Sequence, residues 1–390
     1  MARIEWAAGQ MPVLARIAGR FARELPFAGV RVGLSLHVTA ETGVLVRALM
    51  AGGADVALCA PNPLSTQDEV AEELAASGVA VHARHGEDPA VGLEAVVAAA
   101  PQLTMDDGAE LIAALAGSEL IGATEETTTG VIRARSLEVG FPVVAVNEGR
   151  AKDLFDNRYG TGQSTLDGVL RATNVLLAGR TVVVVGYGRC GRGVAARAAG
   201  AGAQVVVCEV DALRALEAAM DGYRVLPAVD AAAVGDLFIT ATGNRHVLTR
   251  EHFERMKDGA LLANAGHFDV EIDKDALADL ASSTRQTRPL VDEIALADGR
   301  RLHLLADGRV VNLAAGEGHP AAVMDVVFAS QALAAEHLMK NAGSLPPGVQ
   351  PLPAQIDAEV ARLKLESLGI EIDELTEEQR TYLSVWEVNT

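Results

Sequence analysis

The chain has 390 residues, enough for two or three domains that each bury a core of their own. Hydrophobic residues make up 49%, which excludes a disordered chain, and 52 acidic against 33 basic side chains leave a net charge of −19, which excludes a basic nucleic-acid footprint. The three cysteines, Cys59, Cys190 and Cys208, show neither CxxC spacing nor a metal-ligand pattern, so reduced thiols and no bound metal are expected.

From the N-terminus, Ala2 to Arg16 reads as a charged amphipathic helix rather than a signal peptide, and no apolar run approaches the ~18 residues of a membrane span. A cytoplasmic protein that uses neither membrane nor nucleic acid is therefore expected. Val32–Leu36 and Val56–Cys59 read as strands flanking a helix that carries Thr42–Met50. Val79–His82, Leu120–Ala123 and Val143–Val146 continue the alternation and close a first α/β unit.

A second unit begins near Ser164. In it, Thr181–Val185 is a β-branched run followed by Gly186, Gly188 and Gly191 at dinucleotide-fingerprint spacing. The first glycine permits the tight turn and the second a close approach of backbone to pyrophosphate. The third admits the next helix, whose N-terminus faces the phosphate charge. A further apolar run, Val205–Cys208, ends in Glu209, about 20 residues past the glycines, where a carboxylate accepts hydrogen bonds from an adenosine ribose diol. Strand, glycines, helix, strand and acid in register point to NAD. The carboxylate at Glu209 disfavours NADP, with Arg214 nearby read as a solvated helix residue.

Later strands are expected at Leu237–Thr240, at Leu261–Ala263 and around Val310–Leu313. A long helix follows from Pro320. The Pro-rich stretch Leu345–Pro353 reads as a linker, and Ile356–Leu383 as a charged helical tail.

Polar clusters sit at the ends of these strands, where open α/β sheets build their sites. Each alone is compatible with a capped turn. Together they offer His37, Asp107, Glu126, Lys152, Asp156, His267 and His319 to one cleft, an acid–base set suited to work beside a nicotinamide.

The blocks LHVTAETGVL, NPLSTQD, DDG, EETTTGV, FDNRYGTGQS, GYGRCGRG, HFERMKDGALLANAGHFDVEID and GEGHP occur in one order along the chain. In this it resembles the S-adenosylhomocysteine hydrolase family from about Ile4 almost to the C-terminus, in the shorter form common in archaea and some bacteria. The resemblance implies an α/β fold of two Rossmann-like domains with parallel sheets. A substrate domain would span 1–160, completed by 318–344, with an inserted NAD-binding domain over 161–317. A small helical C-terminal tail over 345–390 would serve as an oligomerisation arm, and the assembly would be a homotetramer.

The implied reaction is the reversible hydrolysis of S-adenosyl-L-homocysteine to adenosine and homocysteine, with NAD oxidising and later re-reducing the ribose 3′-carbon. By resemblance, Lys152 and Asp156 sit at the 3′-hydroxyl, Lys152 as a base whose pKa burial lowers. Glu126 binds the ribose. Asp107 and His37 share the C4′ proton and the leaving sulfur or incoming water, their division of labour left open, and His267 sits near the sulfur. Thr39, Glu41, Thr66, Gln67 and His319 are implied substrate contacts. Thr127, Thr128, Thr129, Asn157, Gly186, Gly188, Arg189, Cys190, Gly191, Glu209, Asn244, Gly266 and Asn312 are implied cofactor contacts.

Glu41 favours an adenine 6-amino group over the 6-oxo group of hypoxanthine. Glu317 stands where longer relatives have methionine, Thr161 where they have cysteine, and their Lys- and Tyr-containing ending is not matched. An S-inosylhomocysteine hydrolase, an NAD-dependent nucleoside 3′-oxidoreductase and a silent nucleotide-binding homologue are the competing readings.

Overall fold

The computed structural model describes the chain from Ala2 to Ser384. Short runs rich in valine, leucine and alanine become strands buried on both faces, and the helices between them cover those faces, as parallel sheets require. The first sheet contains β1 (Arg31–Ser35), β2 (Asp55–Cys59), β3 (Ala80–His82), β4 (Leu103–Asp106), β5 (Gly122–Glu125) and β6 (Pro142–Ala145), all parallel. The second contains β7 (Thr181–Val185), β8 (Gln204–Cys208), β9 (Arg224–Val225), β10 (Leu237–Thr240) and β11 (Ala260–Asn264). It is extended by β12 (Ala281–Arg288), β13 (Val291–Leu296) and β14 (Arg301–Leu305), with antiparallel β12–β13 and β13–β14 pairs. A last strand, β15 (Gly348–Pro351), returns to the first sheet and pairs in parallel with β6.

The strand order of the first sheet is β15-β6-β5-β4-β1-β2-β3, and that of the second is β12-β13-β14-β11-β10-β7-β8-β9. Chain direction along each sheet reverses once near its centre, between β1 and β4 and between β7 and β10. At such a switch point the connections leave in opposite directions and open a crevice beyond the strand ends. His37 and Asp107 follow β1 and β4, while Gly186 and Ala241 follow β7 and β10. The two crevices open into one space.

Several expected boundaries differ. The N-terminal segment is two helices, Ala2–Ala8 and Pro12–Glu24, because Pro12 lacks an N–H and takes the first turn of a new helix. Around Val310 there is only a single bridge to Asn264 before the helix Val311–Ala314. The stretch read as a linker holds β15, an edge strand whose prolines flank or end it and so disrupt no central ladder.

The region read as one helical tail is split into Ala354–Ser367 and Glu377–Ser384. The first packs inward, with Ile356, Val360 and Leu363 in the same apolar core as Leu34, Phe328 and Leu333. Residues 385–390 of the expected tail lie outside the described residues. β12 gave no apolar signal, since Ala281–Arg288 is polar and exposed along nearly its whole length, whereas β13 and β14 bury Val291, Ile294, Leu296, Leu302 and Leu304.

One buried ion pair ties the C-terminal helix to the long helix Ala321–Lys340. Asp325 is fully buried and accepts from Leu14 N at 2.9 Å, Val13 N at 3.3 Å and Lys364 Nζ at 2.8 Å. Removing the cation alone would leave an uncompensated buried charge, so Lys364→Met is expected to destabilise the fold by about 3–5 kcal/mol in a denaturant titration. The double replacement Asp325→Leu/Lys364→Met should recover most of that loss; if the single replacement proves neutral, the pair does not hold the helix in place.

Candidate active site

The space between the two crevices is a cavity of about 1190 Å³. His37, Asp107, Glu126, Lys152, Asp156, His267 and His319 all line it, as do Thr39, Thr127, Thr128, Thr129, Asn157, Gly186, Gly188, Arg189, Cys190, Glu209, Asn244, Gly266 and Asn312. Arg214, read from the sequence as a solvated residue, also lines it. Glu41 and Gln67 instead face an adjoining cavity of about 820 Å³, whose lining it shares with the larger one at His319. Thr66 borders a third, smaller cavity.

Two acidic doublets end neighbouring strands, and the pleat divides each between two tasks. Asp106 accepts from Leu111 N at 3.1 Å and Ile112 N at 2.7 Å, satisfying backbone donors in the first turn of the next helix. Glu125 accepts from Gly108 N, Ala109 N, Thr127 N and the Thr127 hydroxyl, and so binds together the loops after β4 and β5. The second member of each doublet, Asp107 or Glu126, faces the cavity. Burial pushes Asp106 up to about 7 and Glu125 up to about 8, and burial together with Asp107 holds Glu126 well above the usual carboxylate range.

Asp107 goes the other way. Burial opposes its charge, but His37 and His267 outweigh burial and hold it at about 2. His37 Nε2 lies 3.1 Å from Asp107 Oδ2, and His267 Nδ1 lies 3.3 Å from Oδ1. The carboxylate of the first sheet is thus flanked by one imidazole from each sheet. Ser65 Oγ, 2.7 Å from His37 Nδ1, sets that ring's orientation. Burial lowers the pKa of His267, with Asp107 opposing that shift.

A second chain of proton-carrying groups stands on the segment after β6. Lys152 Nζ donates to Asp156 Oδ2 at 2.7 Å, Asn147 Oδ1 at 2.8 Å and Asn157 Oδ1 at 3.2 Å. His319 Nδ1 lies 2.9 Å from the other Asp156 oxygen. Asp153–Gly160 winds as a π-helix, a form found mostly where function outweighs regular hydrogen bonding. Here it presents Asp156 and Asn157 to the cavity beside Lys152. The expectation that burial lowers the Lys152 pKa is corrected: burial opposes the ammonium, but Asp156 and Glu126 outweigh it and the pKa is raised. Asp156, four residues on, is the ion-pair partner of Lys152, and Glu126 enters the same cavity just past β5.

The dinucleotide side is built as its spacing requires. Gly186 has φ +98°, and a Cβ on Gly191 would stand 1.9 Å from the Gly186 carbonyl oxygen. Gly191 therefore acts by packing beneath the turn, not by lining the cavity. Gly188 precedes the helix Arg189–Gly200, and no side chain caps that end, so its first N–H groups are free for an anion. Glu209 ends β8 and accepts from Tyr187 N, Val210 N and Asp211 N, its pKa lowered because those donors outweigh its burial. Asn312 Oδ1 is buried and without a partner, as an amide waiting for a ligand donor would be. These features fit NAD.

Asp106, Glu125, Asn147, Ser65, Asn264 and Glu271 support the site and were missed as individual residues. The acidic doublets at strand ends were the one signal available for the first two.

Fold and site together define an NAD-dependent enzyme with two separate chains of titratable groups on one cavity between the sheets. The chain belongs to the S-adenosyl-L-homocysteine hydrolase family. Residues 1–119 match the family's S-adenosyl-L-homocysteine hydrolase model and residues 157–318 its NAD binding domain. The adenosylhomocysteinase of Archaeoglobus fulgidus is 55% identical over 100% of this chain and 99% of its own length. That of Thermosynechococcus vestitus is 53% identical over 100% and 94%. The S-inosyl-L-homocysteine hydrolase of Methanopyrus kandleri is 54% identical over 99% and 95%. Among solved structures, a dipicolinate synthase polypeptide from Bacillus halodurans shares the fold, with a TM-score of 0.50 at 13% identity over 81% of this chain and 98% of that one.

The opposing effects on His267 yield a test. In Asp107→Asn the anion that raises the His267 pKa is gone while burial remains, so the apparent pKa of its ring should fall, followed through the Cε1–H resonance from pH 5 to 8. A rise would show that the two groups are not coupled as described.

Proposed function

We propose that this protein hydrolyses S-adenosyl-L-homocysteine reversibly to adenosine and homocysteine. The observation that carries the reading is the presence of two proton-handling chains, Lys152–Asp156–His319 and His37–Asp107–His267, on one cavity with a dinucleotide cradle. Simple dehydrogenation needs one such chain; elimination across a sugar needs a second, at the neighbouring carbon and the leaving group. NAD, when bound, would supply a reversible hydride acceptor; the backbone beside Gly188, Arg189 and Cys190, the Glu209 carboxylate, and Asn157, Asn244 and Asn312 are the groups that would hold it.

Lys152 takes the part of the group that manages the 3′-hydroxyl proton. Its ammonium already has Asp156, Asn147 and Asn157 as partners, so a proton arriving or leaving moves within a fixed frame. Glu126, a buried carboxyl on the cavity wall, offers its two oxygens to the ribose hydroxyls. Asp107 stays an anion and serves to orient and charge-balance the imidazoles, which exchange the C4′ proton and attend the sulfur and water. Enclosure between the sheets keeps bulk water from the activated sugar.

Glu41 carries base choice. Burial raises its pKa, and its carboxylate faces the adjoining cavity with Glu317 and His319 as electrostatic neighbours, His319 being shared with the main cavity. Identity does not separate the adenosyl from the inosyl relatives, so this one side chain supports the adenosyl substrate. We further take the substrate domain to be 1–160 with 318–344 and the NAD domain 161–317. The working assembly is taken as a homotetramer in the cytoplasm, which sedimentation and fractionation would check.

With S-adenosylhomocysteine, free thiol should appear with no net NADH absorbance, and S-inosylhomocysteine should react on the order of 100-fold more slowly. NADH accumulating without thiol would move the protein to the oxidoreductases. Lys152→Met should lower kcat on the order of 10²–10⁴-fold while leaving substrate affinity within a few-fold. A loss confined to KM would remove Lys152 from the chemical step.

A further inference from the structure

The mechanism leaves one buried carboxylate without a task. Glu271 is 1% exposed and does not line the main cavity. Its oxygens accept from Thr242 N at 3.0 Å, Gly243 N at 2.8 Å and the Thr242 hydroxyl at 2.7 Å. Its backbone carbonyl accepts from Val247 N and Leu248 N. Glu271 therefore fastens the loop after β10, whose residues Ala241–Asn244 line the cavity, to the segment following β11.

On that second segment, Gly266 shows what Glu271 demands. A Cβ there would fall 1.9 Å from Glu271 Oε1 and 3.1 Å from Asn264 Oδ1. Glycine at 266 is thus required by the carboxylate behind the loop, whatever lies in front of it. Asn264, fully buried, completes the arrangement. Its Nδ2 donates to the carbonyls of Gly266, Phe268 and Gly308, and its Oδ1 accepts from Gly266 N and the Thr240 hydroxyl. The turn that presents His267 to Asp107 is held at both ends by these two side chains.

We propose that Glu271 is a positioning residue that sets the cofactor-facing loop Ala241–Asn244 and the His267 turn as one unit, with Asn264 as its partner. Its charge is spent on backbone and hydroxyl donors in the protein, and it touches no reacting atom. The carboxylate replaces solvent for N–H groups that would otherwise be left unpaired behind the cavity wall. A neutral amide in its place keeps one oxygen for the Thr242 and Gly243 N–H groups but sets an N–H2 against the Thr242 hydroxyl, which must turn from donor to acceptor, and so loosens the link between loop and turn. The proposal rests on the reading of the site as an NAD-dependent hydrolase, and its test includes readouts that do not depend on that reading.

Purified holoenzyme carrying Glu271→Gln is compared with wild type for NAD affinity, for the chemical shift of the His267 ring, and for thiol release from S-adenosylhomocysteine. Weaker NAD binding, a displaced His267 resonance and a fall in kcat/KM on the order of 100-fold are expected. Combined with His267→Asn, the second substitution should add little, because both act on one unit. Wild-type affinity and ring shift in Glu271→Gln, or fully multiplicative losses in the double variant, would overturn the proposal.

If Glu271→Gln does not fold, Thr242→Val removes the 2.7 Å hydroxyl donor to Glu271, together with the acceptor that the same hydroxyl offers Asn244 N within the loop. It should weaken NAD and shift His267 in the same direction, and Thr242→Ser should restore both. An unaffected Thr242→Val counts against the proposal. Failure of the wild type to release thiol would sink the hydrolase reading, while the NAD affinity and His267 shift would still judge the role of Glu271.

Discussion

Asp107 has to remain charged where water scarcely reaches, and much of the site follows from that requirement. An isolated carboxylate in such a place would take up a proton. It is held ionised by His37 from its own sheet and His267 from the other, at 3.1 and 3.3 Å. The neighbouring acids shift the other way: Asp106, Glu125 and Glu126 all have raised pKa values, so Asp107 is the member of the cluster that ionises most readily. Because one of the two imidazoles belongs to the second sheet, the electrostatics of the site depend on the mutual placement of the sheets.

That placement is secured by backbone proximity as much as by side chains. A Cβ on Gly193 of the cofactor helix would lie 1.9 Å from the Arg158 carbonyl oxygen of the π-helix. The element that faces the dinucleotide therefore rests directly on the one that carries Asp156 and Asn157. His319, returning from the second sheet toward the first, reaches Asp156 at 2.9 Å. Cofactor cradle and proton chain share walls, which suits a reaction whose redox step and proton steps occur on adjacent carbons of one sugar.

The cysteines illustrate how burial removes chemistry. Cys190 lines the cavity, yet burial pushes its thiol up to about 11, and Cys208 is pushed up to about 12. At neutral pH neither is a nucleophile. The titratable groups that line the cavity with them are carboxylates, imidazoles, arginines and one lysine.

The sequence by itself determined the alternation of strands and helices, the dinucleotide turn and the family. These depend on local periodicity, on glycines whose backbone needs are local, and on ordered blocks of residues. It also supplied the seven titratable residues that meet in the main cavity: His37, Asp107, Glu126 and His267 lie just past strand ends, which converge in parallel sheets, while Lys152, Asp156 and His319 come from the helical segments beside them. Tertiary structure alone decided the rest. Only packing places Glu41 and Gln67 in an adjoining cavity, draws β15 onto the edge of the first sheet, and pairs polar β12 with β13. Only the proximity of Asp156 and Glu126 reverses the effect of burial on Lys152, since a pKa reports the sum of charges around a group and not its own surroundings in sequence. Asn264 and Glu271 were invisible for the same reason: their partners are backbone groups on other loops, and no residue pattern announces them.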